Sequence, residues 1–159
     1  IIHARNGILS GLSPRQNRNV PPLKYDYVYK LKEDFPELEI IINGGIKSLE
    51  ESKTHLKKVD GVMIGRAAYD NPFMLKDIES NFYNIDSCTE SKKEILNKYL
   101  EYVEMQLKNG HNLSKMMKHL FGLSRGDKYA KTFRIKIIEI MKNNSLKGHK
   151  EDLEKLLVY

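Results

Sequence analysis

Two short apolar runs, each ending in glycine, constrain the fold of this chain more than any other feature. Residues 41–46 read IINGGI and residues 62–66 read VMIGR, and about one helix of sequence separates them. This spacing is typical of the last two units of a (β/α)8 barrel, where glycine lets backbone N–H groups approach an anion. The two runs therefore predict strands whose carboxyl ends hold a phosphorylated ligand.

The first 64 residues supply three predicted strands. These strands cover residues 1–5, 38–42 and 59–64. Two helices are predicted between them, at residues 25–35 and 48–58, because both stretches show helical spacing of apolar residues with cap or stop signals. Three strands cannot close an eight-stranded barrel. We therefore expect the C-terminal part of a TIM barrel, about three βα units, whose other strands precede Ile1 or come from elsewhere. Exposed strand edges of this kind favour self-association of the truncated barrel.

From residue 91 onward every predicted element is a helix. Apolar residues recur at helical spacing over residues 91–107, 113–121, 129–141 and 153–157. Several amphipathic stretches of this length predict a small helical bundle. The fold class is thus α/β plus all-α. The expected organisation is a C-terminal barrel part at 1–83, a linker at 84–90 and a helical domain at 91–159.

Positive charge is concentrated in the second half of the chain. The net charge is +6, and residues 84–159 carry 15 Lys and Arg against 10 Asp and Glu, whereas residues 1–83 carry 12 against 11. An excess of this kind suits a phosphodiester backbone, and a solvated lysine-rich surface is the alternative that charge alone leaves open. The expected contacts to such a backbone in this half are Lys118, Arg125, Lys128, Lys131 and Arg134.

The composition argues against several classes of protein. No stretch approaches the ~20 apolar residues of a membrane span, and no basic-then-apolar leader is present, so neither a membrane partner nor a signal peptide is expected. The single cysteine, Cys88, cannot form an internal disulfide and fits a reducing compartment, which favours the cytoplasm without excluding an organelle. Because no basic neighbour stabilises a thiolate, Cys88 is expected to be an inert linker thiol.

Several motifs in the first half follow one another in an order that is specific as a set. They are HAR at 3–5, GLSP at 11–14, NR at 17–18, PPL at 21–23, NGGI at 43–46, DGVM at 60–63 and GR at 65–66, followed by Tyr69, Asn71 and Pro72. This set resembles the tRNA-dihydrouridine synthases, and most of all their bacterial A-type subfamily. The resemblance covers residues 1–83 and continues more loosely through 118–123 and 130–134.

The resemblance implies an FMN-dependent flavoprotein whose barrel carries the flavin and whose C-terminal helical domain helps to bind tRNA. In this family NADPH reduces the flavin, the flavin delivers hydride to the C5=C6 bond of a D-loop uridine, and a cysteine protonates the other carbon. That cysteine is expected upstream of this chain, so the isolated chain is expected to be inactive. His3 would hydrogen-bond the flavin ring, and Arg5 would line the substrate side of the pocket.

The resemblance also assigns residues to the phosphate end of FMN. Asn43 and Gly45 would hold the ribityl phosphate, with Gly44 in the same turn, and Gly65 with Arg66 would close the site. The residues by themselves leave plainer readings open. Gly44 and Gly45 alone could form an ordinary tight turn, and Arg66 could be a surface residue at the start of a helix.

Arg15 and Arg18 lie in the long connection that follows the first predicted strand. A loop at the C-terminal face of a barrel is where substrate is met, so we expect both to contact tRNA, with a solvated loop as the alternative. For His3, the alternative to a flavin contact is a purely structural role. Two other functions remain open: an FMN-dependent barrel oxidoreductase that acts on a small metabolite, and a non-catalytic RNA-binding module.

Overall fold

A computed structural model describes residues 1–83, 85 and 89–157. The chain divides into two compact units, Ile1–Ala68 and Tyr69–Tyr159. Residues 69–83, which the sequence groups with the barrel part, therefore pack within the second unit. The expected domain organisation with a linker at 84–90 stays a prediction, and Cys88, together with much of that linker, lies outside the described residues.

A parallel sheet with strand order β1-β2-β3 forms the centre of the first unit. Its elements are β1 (Ile2–His3), α1 (Pro14–Asn17), α2 (Tyr25–Asp34), β2 (Ile41–Asn43), α3 (Leu49–Leu56) and β3 (Gly61–Met63). The predicted order of strands and helices is confirmed, but each strand is shorter than predicted. Ile40 directly precedes β2, and Asp60 directly precedes β3. The Asp60 carboxylate accepts the Ile40 N–H at 2.8 Å, so this N–H is bonded to a side chain and does not extend the backbone pairing of β2.

Apolar residues from the sheet and its connections form the core of the first unit. Ile42 in the central strand is fully buried, and Val28 brings α2 onto the same cluster. The other buried members are Ala4, Ile40, Ile46 and Val59. A strand that is buried in this way requires an apolar run without alternation, which is how residues 40–42 read in the sequence.

The helix starts of the first unit follow local capping rules. Ser13 and Gln16 form a reciprocal capping box at α1. At α3, Ser48 accepts the Glu51 N–H, but the Glu51 carboxylate accepts the Lys47 N–H at 2.6 Å instead of the Ser48 N–H. The S-x-x-E pattern of residues 48–51 predicts a capping box at α3, and this box is therefore only half formed.

The described part of the second unit is helical. Helix α4 (Arg66–Asp70) includes the division between the units, and the later helices are α5 (Met74–Phe82), α6 (Lys92–Lys108), α7 (Leu113–Met117), a 3-10 helix (Lys118–Gly122), α8 (Ala130–Asn143) and α9 (Lys150–Lys155). Buried side chains from α6 to α9 form one cluster around Phe133 and Ile137. Among the described helices, none combines the length and apolarity needed to cross a bilayer.

One glycine in the second unit allows a close contact between backbone segments. A Cβ on Gly122, in the 3-10 helix, would lie 2.5 Å from the Tyr69 carbonyl oxygen and 3.0 Å from that of Asp70. Gly122 is buried and does not have a positive φ. Space, and not backbone conformation, therefore requires glycine at this position.

Candidate functional site

The carboxyl ends of the three strands lie side by side. His3 pairs with Asn43 and Asn43 pairs with Met63, so the last residues of the strands are in register at one edge of the sheet. Gly44 and Gly45, which we call the glycine turn, directly follow β2 at this edge. The structure thus brings together His3, Asn43 and the glycine turn, four of the residues assigned to the cofactor.

Both residues of the glycine turn require glycine. Their φ angles are +123° for Gly44 and +71° for Gly45, a region that other residues rarely adopt. A Cβ on Gly44 would lie 3.0 Å from Leu23 Cδ2 and 3.2 Å from His3 Cε1, and one on Gly45 would lie 2.5 Å from Leu23 Cδ1. Conformation and available space therefore agree that this turn depends on its glycines.

A tyrosine hydroxyl contacts the glycine turn from one side. Tyr25, the first residue of α2, donates to the Gly44 carbonyl oxygen at 2.7 Å. Burial, and secondarily the nearby Glu51 carboxylate, raises the pKa of Tyr25, so its hydroxyl keeps the proton that it donates. Within the described part of the chain the Gly45 N–H has no hydrogen-bond acceptor. The turn can therefore donate this N–H to a bound anion.

The ring of His55 connects Tyr25 to a second tyrosine of α2, Tyr29. His55, in α3, is 6% exposed, and its ring meets that of Tyr25 edge-on with 4.5 Å between centroids. Its Nδ1 lies 2.7 Å from the Tyr29 hydroxyl oxygen. Burial lowers the pKa of His55, and the Glu51 carboxylate opposes that shift. The three rings link α2, α3 and the glycine turn.

The two arginines assigned to the cofactor pocket bind a loop of the same unit. The Arg5 Nε donates to the Pro21 carbonyl at 2.6 Å, and its Nη1 donates to the Arg18 carbonyl. The Arg66 Nη2 donates to the same Arg18 carbonyl at 3.2 Å, and its Nη1 donates to Asn19 Oδ1 at 2.6 Å. Both guanidinium groups are thus occupied by residues 18–21, and their roles toward a cofactor or substrate stay predictions.

The remaining cofactor candidates have distinct surroundings. Gly65 has no positive φ, and among the described residues no atom beyond its two chain neighbours lies within 4 Å of a Cβ placed on it, so open space adjoins this position. The Asn43 Nδ2 lies 3.3 Å from Met63 Sδ. His3 is exposed, and its Nδ1 accepts the Arg5 N–H at 3.1 Å, which leaves Nε2 as the ring nitrogen that carries the proton. These roles also stay predictions.

The five basic residues proposed for RNA contact in the second unit are all exposed. They are Lys118, Arg125, Lys128, Lys131 and Arg134. In the described part of the chain none of them pairs with a carboxylate, whereas Lys136 bonds to both Glu139 at 3.4 Å and Asp152 at 3.1 Å. Lys131 and Arg134 lie on one exposed face of α8. In the first unit, the side chains of Arg15 and Arg18 are likewise exposed.

The family model described as "Dihydrouridine synthase (Dus)" matches residues 1–157. The chain belongs to the dihydrouridine synthase family. Among proteins named tRNA-dihydrouridine(20/20a) synthase, it is 43% identical to that of Vibrio cholerae over 138 residues, 44% to that of Pseudomonas putida over 133 and 45% to that of Synechocystis over 133.

These matches cover most of this chain but less than half of each relative. The aligned regions are 84–87% of this chain and 40–42% of the relatives. The chain therefore spans about two fifths of the length of the curated relatives that it matches. The resemblance that the motifs predict is confirmed at the level of the family.

Sequence reasoning missed two residues that shape the candidate site. Leu23 packs against both residues of the glycine turn, and Tyr25 bonds to its carbonyl. Leu23 belongs to the PPL motif, and Tyr25 follows it two positions later. The motif marked the segment, but nothing in the sequence pairs it with a turn about 20 residues downstream.

Proposed function

We propose that this chain is part of a tRNA-dihydrouridine synthase that uses FMN, with NADPH as the electron donor. The net reaction adds hydride from NADPH and a proton from solvent to the C5=C6 bond of a D-loop uridine, giving 5,6-dihydrouridine and NADP+. The observation that carries the proposal is the glycine turn in a chain of this family. It offers the Gly45 N–H, which has no acceptor among the described residues, at the carboxyl edge of a parallel sheet.

The residues at this edge fit a phosphorylated flavin. The Gly45 N–H would donate to the phosphate, with Asn43 beside it. Among the described residues the space next to Gly65 is open, so the ligand could enter a space that a side chain at this position would otherwise occupy. His3, at the end of β1, has an Nε2 proton available for the flavin ring. FMN, when bound, supplies the hydride transfer, and the protein binds and orients it.

Arg5 and Arg66 add positive charge to the same edge. Since both donate to the Arg18 carbonyl, we assign them a second task, which is to hold the loop at residues 18–21 against the sheet. That loop carries the exposed Arg18, and Arg15 precedes it in α1. Held in this way, the loop would present two guanidinium groups to the tRNA backbone.

The exposed cations of the second unit support tRNA as the partner. A lysine or arginine without a carboxylate partner can neutralise a phosphate without first breaking an ion pair. All five residues assigned to RNA contact meet this condition in the described part of the chain. The helical bundle that carries them would thus be the RNA-binding part of the enzyme.

The test is an assay of the full-length protein that contains this chain. Unmodified tRNA is incubated with protein, FMN and NADPH, and its nucleosides are analysed by mass spectrometry for uridine that has gained two hydrogens. We expect dihydrouridine with the full-length protein and none with the isolated chain, whose one cysteine lacks a basic neighbour in sequence. Absence of product from the full-length protein overturns the proposed activity, and product from the isolated chain overturns its expected inactivity.

A further inference from the structure

We propose that Tyr25 is a positioning residue for the phosphate of the flavin. Its hydroxyl holds the peptide between Gly44 and Gly45 in the one orientation that presents the Gly45 N–H to an anion. His55 and Tyr29 in turn hold Tyr25 in place. The inference rests on the proposed function, because it assumes that the glycine turn receives the phosphate of FMN.

The geometry of the peptide bond links the two ends of this peptide. In a planar trans peptide the C=O and the following N–H point in opposite directions. No cis peptide bond occurs in the described residues, and the Tyr25 hydroxyl bonds to the Gly44 carbonyl at 2.7 Å. The Gly45 N–H is therefore directed away from Tyr25, and it has no acceptor in the described part of the chain.

This peptide needs such a restraint because glycine flanks it on both sides. Glycine adopts positive and negative φ with similar ease, so the peptide can rotate to the reverse orientation at little steric cost. Rotation would place the Gly44 carbonyl oxygen where the Gly45 N–H had been, and a partial negative charge would then face the phosphate. Leu23 limits the space beside the turn, but an apolar side chain does not distinguish C=O from N–H.

Tyr25 can orient the peptide only if its own ring is fixed. It begins α2, and its ring contacts the His55 ring edge-on, with 4.5 Å between centroids. His55 is buried, and its Nδ1 lies 2.7 Å from the hydroxyl oxygen of Tyr29, one turn further along α2. The Lys58 Nζ lies 4.6 Å from the centre of the Tyr29 ring. Contacts from two helices therefore hold the hydroxyl against the turn.

The experiment compares FMN with riboflavin, which has the same ring system but no phosphate. Tyr25→Phe removes the hydroxyl and keeps the ring, and Tyr27→Phe makes the same change at a residue of α2 that is 71% exposed. Dissociation constants of both flavins for the full-length protein are measured by fluorescence titration. We expect Tyr25→Phe to weaken FMN binding about tenfold, or about 1.4 kcal/mol, and to leave riboflavin binding unchanged. Tyr27→Phe should change neither.

The outcomes separate this inference from the proposed function. If wild-type protein binds FMN no better than riboflavin, the phosphate site of the proposed function fails. If wild-type protein prefers FMN and Tyr25→Phe keeps that preference, the positioning role is overturned, as it is if both flavins weaken equally. Should Tyr25→Phe not fold, Tyr29→Phe provides the test. A selective loss of FMN binding supports the inference, and an unchanged preference overturns it.

Discussion

Replacing Gly45 by alanine tests the geometry on which the candidate site depends. The native φ of +71° costs alanine about 1–2 kcal/mol, and the new Cβ, 2.5 Å from Leu23 Cδ1, adds about 1 kcal/mol for the shift of that flexible side chain. Alanine also restricts the backbone of the unfolded chain, which lowers the destabilisation by about 0.4–1 kcal/mol. We therefore expect Gly45→Ala to destabilise the first unit by about 2 kcal/mol.

Hydrogen exchange of the β2 amides measures this change within the first unit alone. A loss of about 2 kcal/mol corresponds to roughly thirtyfold faster exchange of amides that open with the unit. The control is Gly65→Ala, since Gly65 has an ordinary φ and no atom of the described residues beyond its chain neighbours lies within 4 Å of the new Cβ. Its exchange should stay within about twofold of wild type. Equal protection in the two variants would refute the left-handed geometry of the glycine turn.

Three further predictions concern packing, RNA binding and pH. Gly122→Ala should lower the stability of the second unit by about 1–3 kcal/mol, seen as a lower Tm by circular dichroism, because the new Cβ meets backbone oxygens; an unchanged Tm would contradict this packing. Lys128→Ala with Lys131→Ala should weaken tRNA binding and flatten the dependence of log affinity on log salt concentration by about 2. The control Lys136→Ala removes a cation already paired with carboxylates and should change neither quantity. Equal losses of tRNA affinity in the double variant and the control would argue against specific contacts. Burial holds the pKa of His55 below the value of 6.5 expected for the unfolded chain, so the unfolded state binds more protons below that pH. The stability of the first unit should therefore fall as the pH drops through 6.5, and His55→Gln should remove this dependence.

The sequence predicted the features that depend on neighbours along the chain. The capping boxes of Ser13 with Gln16 and of Ser91 with Glu94 each join residues three positions apart, so both partners can be read from the local sequence. The strand and helix order was also predicted, because apolar spacing reflects which face an element buries. The start of β2 was not, because Asp60 takes the Ile40 N–H from 20 residues away.

For the candidate site, the sequence by itself determined where glycine and charge occur, and therefore which strands end in a turn that can receive an anion. Only the tertiary structure decided what the side chains do there. Arg5 and Arg66 bond to the Arg18 carbonyl, and Tyr25 bonds to that of Gly44, although no local pattern marks either oxygen as an acceptor. Every residue carries the same carbonyl group, so the choice among them follows from which segments the fold brings together.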